Sequence, residues 1–306
     1  MKNIYVFPKL SKLDCIGVRI GGAGLGNILF TWARAVVFAR KNNFSIINTT
    51  WKSLKIGPLL RGELDTRGYS NLFKENNISG TKKFLLLISG KRFTENQIKQ
   101  LKYIKSRRPK IIIFSGMKNQ MNDLLDDYAI VKEELLRIIT DENLKNIEKF
   151  SGKGISLHIR MGDFYIPKSE DEIRKGATNC RLPLQWYISI INKIRNVAGK
   201  NIDVNIFSDG TDAELADLLE LTNVKRHYYG SAIADMLALS KSDFLIASNS
   251  TFSLWASYLG RMPTIWFPGT NRQKIFTADE IEEEVDYTDE LSFRFKTYIK
   301  EKINVI

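Results

Sequence analysis

Cysteine is scarce in this sequence: Cys15 and Cys180 are the only two, far apart along the chain. That excludes a disulfide-framed secreted domain, and two free thiols in a reducing cytosol are expected. Long apolar runs are also missing. Stretches such as Phe84-Leu85-Leu86-Leu87-Ile88 are far too short to span a membrane. The first residues, MKNIYVFPKL, hold no long apolar core before Pro8, so no signal peptide is expected. Histidine is nearly absent. His158 and His227 are the only two, and neither has a cysteine or acid at metal-ligand spacing. No acids stand as D-x-D after a strand; Glu170-Asp171-Glu172 reads as a charge run in a loop. There is no G-x-S-x-G elbow and no P-loop.

What is present is a soluble globular chain. Its 306 residues leave room for two domains, and 43% apolar with 26% charged residues excludes disorder. Lysine and arginine number 46 against 34 acids, a net charge of +12 that favours an anionic partner. A phosphorylated substrate, a nucleic acid or an anionic membrane surface would each fit. No recognition motif with interleaved aromatics is found, so nucleic acid is not expected as a partner. One basic cluster comprises Lys102, Lys105, Arg107, Arg108 and Lys110.

The most informative stretch is Ile155-Ser156-Leu157-His158-Ile159-Arg160-Met161-Gly162-Asp163. Alternation predicts a strand with Ile155, Leu157 and Ile159 on one face and His158 and Arg160 on the other. Gly162 stops it, and Asp163 follows in the loop. Ligands of open α/β sheets bind beyond the carboxyl ends of strands, and arginine offers a fork of donors suited to phosphate. An anion site is expected there.

Strands and helices alternate through both halves. A strand at 16–20 leads through the glycine turn Gly21-Gly22-Ala23-Gly24-Leu25-Gly26-Asn27 to a helix over 28–41 and a strand at 44–48. Residues 51–92 read as loops with short helices. A strand at 111–115 and helices over 121–127, 131–139 and 141–150 complete the first half, and Ser151-Gly152-Lys153-Gly154 is the candidate linker. Strands then follow at 155–160, 204–208, 244–247 and 264–267, with helices between them. The expected domains are 1–150 and 151–275, both α/β, with a helical tail over 276–306. The expected fold class is α/β, as two Rossmann-like domains facing each other across a cleft.

Other strand ends carry candidate groups. From Gly22 and Gly24, the third glycine of a dinucleotide fingerprint is replaced by Asn27, and no acid stands about 20 residues on, so a tight turn exposing Asn27 and a few amides fits better. In Ser248-Asn249-Ser250-Thr251-Phe252-Ser253, hydroxyls and amides at a helix start suit an anion. Phe207-Ser208-Asp209-Gly210 reads first as a turn, and Asp235 as an acid at a helix start.

Three motifs in this order resemble the bacterial alpha-1,2-fucosyltransferases of glycosyltransferase family 11. They are Gly24-Leu25-Gly26-Asn27 with Phe30 and Ala33; His158-Ile159-Arg160-Met161-Gly162-Asp163-Phe164; and Phe207-Ser208-Asp209, then Asp235-Met236 through Ser250-Thr251-Phe252-Ser253-Leu254-Trp255. The resemblance covers roughly 16–50 and 150–265. It implies a GT-B fold and an inverting, metal-independent transfer of L-fucose from GDP-fucose to a galactoside hydroxyl, with no cofactor. Arg160 would hold the β-phosphate, Asp209, Ser250, Thr251, Phe252 and Ser253 would line the donor, and Asp235 would meet the guanine. Asp163 and His158 are candidate bases. Gly24, Gly26 and Asn27 would face an oligosaccharide or lipid-linked acceptor, such as O-antigen or capsule, bound by the first domain. The expected location is the cytoplasm, peripheral at the inner membrane face. An alpha-1,6 transferase and a dinucleotide-dependent oxidoreductase are the alternatives.

Overall fold

Runs of β-branched and aromatic residues between turn signals form the central strands, which are largely buried on both faces as parallel sheets require, while the edge strands are partly exposed. The computed structural model describes residues 3–14, 17–54, 68–75, 77–271, 273, 275 and 282–303. The chain divides into two compact units, Met1–Asp141 and Glu142–Ile306.

The first unit is built on β1 (Ile4–Lys9), α1 (Leu25–Asn42), β4 (Ser45–Ile46), α2 (Gly80–Ser89), β6 (Lys91–Thr94) and β7 (Lys110–Ser115). Its main sheet has the order β4-β1-β7-β6, all parallel. One face packs Val6, Ile112 and Phe114 against Ala35 and Ala39 of α1. The other packs Phe7 and Ile111 against Leu86 of α2. A small sheet, β2 (Leu13–Asp14), β3 (Arg19–Ile20) and β5 (Ser53–Leu54), precedes and follows α1.

The strand expected at 16–20 therefore needs correction. Ile16 lies outside the described residues, and Arg19–Ile20 belongs to the small sheet. The β-α-β unit is instead β1-α1-β4, with the small strands and glycine turn inserted before the helix. In that turn Gly21 and Gly22 take positive φ, and a Cβ on Gly22 would meet the buried Arg19 guanidinium at 2.5 Å. The helix starts at Leu25, so Gly24 is its N-cap and Asn27 lies in its first turn. Gly57, Pro58 and Gly62, read as loop, and Cys15 lie outside the described residues.

The second unit holds α4 (Asp141–Glu148, which begins at the division), β8 (Ile155–Ile159), α6 (Leu184–Ala198), β9 (Val204–Ser208), β10 (Val224–Arg226), α8 (Ala232–Leu239), β11 (Phe244–Ile246), α9 (Thr251–Gly260), β12 (Thr264–Trp266), β13 (Glu282–Glu284) and α10 (Phe293–Ile303). The first unit also has α3 (Tyr128–Ile138), and the second has α5 (Glu170–Arg174) and the one-turn α7 (Ala216–Leu219). The sheet order is β10-β9-β8-β11-β12-β13, all parallel. Ile155, Leu157 and Ile159 join one core with α6 and α10, through Trp186, Ile190, Phe295 and Ile299. The expected alternation along β8 is present, but His158's face is covered too.

The Ser151–Gly154 stretch lies inside the second unit. Gly154 N donates to Asp243 Oδ2 at 3.0 Å. Side chains at Gly152 and Gly154 would run into the carbonyls of Lys241 and Asp203. Just before it, Lys241 Nζ donates to the carbonyls of Ile147 and Phe150. These glycines allow close approach of backbones. Among the described residues no helix is long and apolar enough to cross a membrane.

Candidate active site

Strand order reverses at β8. The chain first adds β9 and β10 on one side, then β11, β12 and β13 on the other. Such a switch point leaves a crevice beyond the carboxyl ends of the two diverging strands. β8 delivers His158, Arg160 and Asp163 to it, and β11 delivers the turn 248–253.

His158 is 7% exposed, and its Nδ1 meets Ser253 Oγ at 2.7 Å, Ser248 Oγ at 2.8 Å and Ser250 Oγ at 3.3 Å. Its ring stacks on Phe252, centroids 4.5 Å apart. Burial, reinforced by the Arg160 charge, lowers its pKa to about 3. The imidazole is neutral at pH 7 and a poor proton acceptor. Tight contacts on ring and nitrogen make it a strut between β8 and the start of α9.

Ser250 caps α9 through Ser253 N at 3.4 Å, and Ser248 N donates to Ser253 Oγ at 3.0 Å. Ser253, expected to line the donor, is fully buried and its hydroxyl is taken up by His158 and Ser248. It can act only through them. Ser250 and Thr251 are half-buried at the helix N-terminus, where amides and the helix dipole favour an anion.

Arg160 is the other centre. Its guanidinium pairs with Asp163 through Nη2 and with Asp209 through Nη1, and lies over the Phe164 ring at 5.4 Å. Asp209, at the end of β9, also accepts from Met161 N at 2.8 Å. Gly162 is needed for this: a Cβ there would lie 2.3 Å from Asp209 Oδ2. Residue spacing did not single out Gly162 as functional. Its signal is the placement between Arg160 and Asp163 where the chain must fold under a carboxylate.

Asp235 lies in the first turn of α8, beyond the end of β10, and accepts from Tyr229 N at 2.7 Å. Beside it the rings of His227 and Tyr229 lie parallel, 5.9 Å apart, with Phe150 and Phe207 packed against them. Sequence reading passed over this aromatic cluster because its members are scattered along the chain. The sheet thus brings His158, Arg160, Asp163, Asp209, Ser250, Thr251 and Phe252 to neighbouring strand ends, with Asp235 two strands from β8. Gly24, Gly26 and Asn27 belong to the first unit. Among the described residues no three His, Cys, Asp or Glu side chains are grouped to hold a metal ion.

No curated protein matches the chain. Among solved structures, NodZ alpha-1,6-fucosyltransferase soaked with GDP-fucose is similar at 16% identity and a TM-score of 0.50, covering 87% of this chain and 96% of that one. A selenomethionine form of fucosyltransferase NodZ from Bradyrhizobium matches at the same identity and TM-score, covering 87% and 95%. POFUT1 in complex with GDP is similar at 12% identity and a TM-score of 0.49, covering 87% and 98%. Two Rossmann-like parallel α/β units are the GT-B architecture. The family model described as glycosyl transferase family 11 matches residues 114–288, which include every strand-end group of the second unit. The motif resemblance and this match agree: the chain is an enzyme belonging to glycosyltransferase family 11.

Proposed function

We propose that this enzyme moves L-fucose from GDP-fucose, with inversion, onto a galactoside hydroxyl in alpha-1,2 linkage. The observation that carries the reading is Arg160, held just beyond β8 between Asp163 and Asp209, with the start of α9 tied to the same strand through His158. An incoming pyrophosphate competes with those carboxylates for the guanidinium. Ser250, Thr251 and the amides at the α9 N-terminus supply neutral donors beside it. Asp235 accepts from the guanine edge, and the neighbouring Tyr229 and His227 rings offer it an apolar wall.

The acceptor hydroxyl attacks the anomeric carbon as the bond from that carbon to the β-phosphate oxygen breaks. The electron pair leaves with GDP, and Arg160 stabilises the charge that develops. The hydroxyl proton passes to Asp163, which is partly exposed, whereas His158 is buried and neutral. With a guanidinium on the leaving group, no metal is required. Gly24, Gly26 and Asn27 would present the acceptor, a lipid-linked glycan such as O-antigen or capsule at the inner membrane face. NodZ, an alpha-1,6-fucosyltransferase, shares the fold, and the alternative is transfer in alpha-1,6 linkage; linkage analysis of the product distinguishes the two.

Calorimetric titration with GDP, UDP and ADP tests the donor assignment. GDP should bind most tightly, and Asp235→Ala should abolish the preference. Equal affinity for all three in the wild type would overturn the guanine site.

A further inference from the structure

The first unit carries a surface that transfer chemistry does not use. Helix α2 buries only one stripe. Lys83 and Leu86 point inward, Leu86 against Phe7, Ile47 and Ile111, with Leu87 packed on the same cluster. On the outer side Phe84, Leu85 and Ile88 are 39, 58 and 65% exposed. These positions are spaced i, i+1 and i+4, so they form one contiguous apolar ridge. A soluble helix normally carries polar residues there.

Basic side chains border the ridge. Residues 79–110 contain ten lysines and arginines against one acid, Glu95, and so hold nine of the chain's net twelve positive charges. Glu95 is itself paired with Arg34 of α1 at 3.2 Å. Gly90 alone separates the helix from β6. Arg92 folds back so that its Nη2 donates to Leu87 O at 2.6 Å, on the last turn beside Ile88. Lys91 pairs in register with Lys110, and its N donates to Pro109 O at 2.7 Å, which brings Arg108 to the same strand ends. Lys82, Lys91, Arg92 and Arg108 are exposed.

We propose that α2 and the adjoining ends of β6 and β7 are the surface by which this protein docks on an anionic lipid bilayer. Phe84, Leu85 and Ile88 insert at the headgroup–acyl boundary, while Lys82, Lys91, Arg92, Arg108 and Lys110 meet the lipid phosphates. Charge complementarity selects this occupant: a second copy would bring a like-charged border against the first. The inference rests on the membrane-face reading above and deepens it, since it places the lipid contact on a defined helix.

Vesicle flotation of the full chain tests it, with phosphatidylglycerol-containing and pure phosphatidylcholine vesicles at low and high salt. The wild type should float with the anionic vesicles at low salt only. F84S/L85S/I88S should bind them at least about a hundredfold more weakly while binding GDP as the wild type does. K91A/R92A/K110A should lose about a hundredfold at low salt, from about fivefold per charge. In I88W the added indole emission should shift to the blue on anionic vesicles, a readout that does not depend on the triple variant folding. A wild type that binds neither vesicle would defeat the membrane-face reading itself. Wild-type binding left unchanged by both triple substitutions, or no spectral shift in I88W, would overturn the docking surface alone. A dimer converted to a monomer by F84S/L85S/I88S, with vesicle binding intact, would reassign the ridge to a second copy.

Discussion

Arg160 and Asp209 form an ion pair that ties the ends of two adjacent strands, β8 and β9. The other side of the Arg160 fork pairs with Asp163. The guanidinium is thereby oriented before any ligand arrives, which is the condition for stabilising charge without reorganisation.

Arg160→Ala should lower kcat by roughly 10²-fold or more, with a smaller change in KM, because the interaction strengthens as the leaving group gains charge. Arg160→Lys should also be poor, since a point charge does not reproduce the fork. Steady-state kinetics on folded variants decide this. Near-normal turnover by either variant would remove Arg160 from the chemistry.

Gly162→Ala should separate activity from stability. Its Cβ would press on Asp209 Oδ2. A carboxylate can rotate away cheaply, so stability should change by less than about 1 kcal/mol. Rotation releases Arg160, and kcat should drop about tenfold or more. Chemical unfolding and kinetics on the same preparation check both halves. Unaltered turnover would mean that the Asp209 contact does not position Arg160.

His158 should make stability depend on acidity. In the unfolded chain it protonates near 6.5, and in the folded one near 3. Between those values the unfolded state binds the extra proton, so stability is lost as pH falls through that window, by about 1.4 kcal/mol per pH unit. Urea unfolding from pH 7 to 4 should show a steeper fall for the wild type than for His158→Gln. Equal slopes would contradict a buried neutral imidazole.

Transfer should persist in excess EDTA, because the leaving-group charge is assigned to Arg160 rather than to a cation. Loss of activity that returns on adding Mg²⁺ or Mn²⁺ would show that assignment to be wrong.

The second unit was largely legible. Ile155, Leu157 and Ile159 alternate with polar residues, and the structure puts them in one core with His158 on the opposite face. What alternation could not reveal is that helices cover both faces, so His158 is buried and Ser253 has no surface to offer a ligand. The first unit was harder to read. No strand is among the expected elements at 4–9, where Pro8 cannot donate to a ladder. Yet β1 is central in its sheet, and Pro8 stands opposite Phe114 near the strand's end. The glycine turn drew attention to the strand before it, which proved to be two residues of a side sheet. Asp209 looked like a turn residue because its partners, Arg160 and Met161 N, are 48 or more positions away.

The most direct test follows a panel of nucleotide sugars by NMR in the presence of a galactoside acceptor, with wild type and Arg160→Ala side by side. The account predicts that the wild type consumes GDP-fucose alone, releases GDP, and yields a fucosyl product of inverted anomeric configuration, while Arg160→Ala is slower by roughly 10²-fold. Turnover of a different nucleotide sugar with GDP-fucose untouched, or retention of configuration, would contradict it.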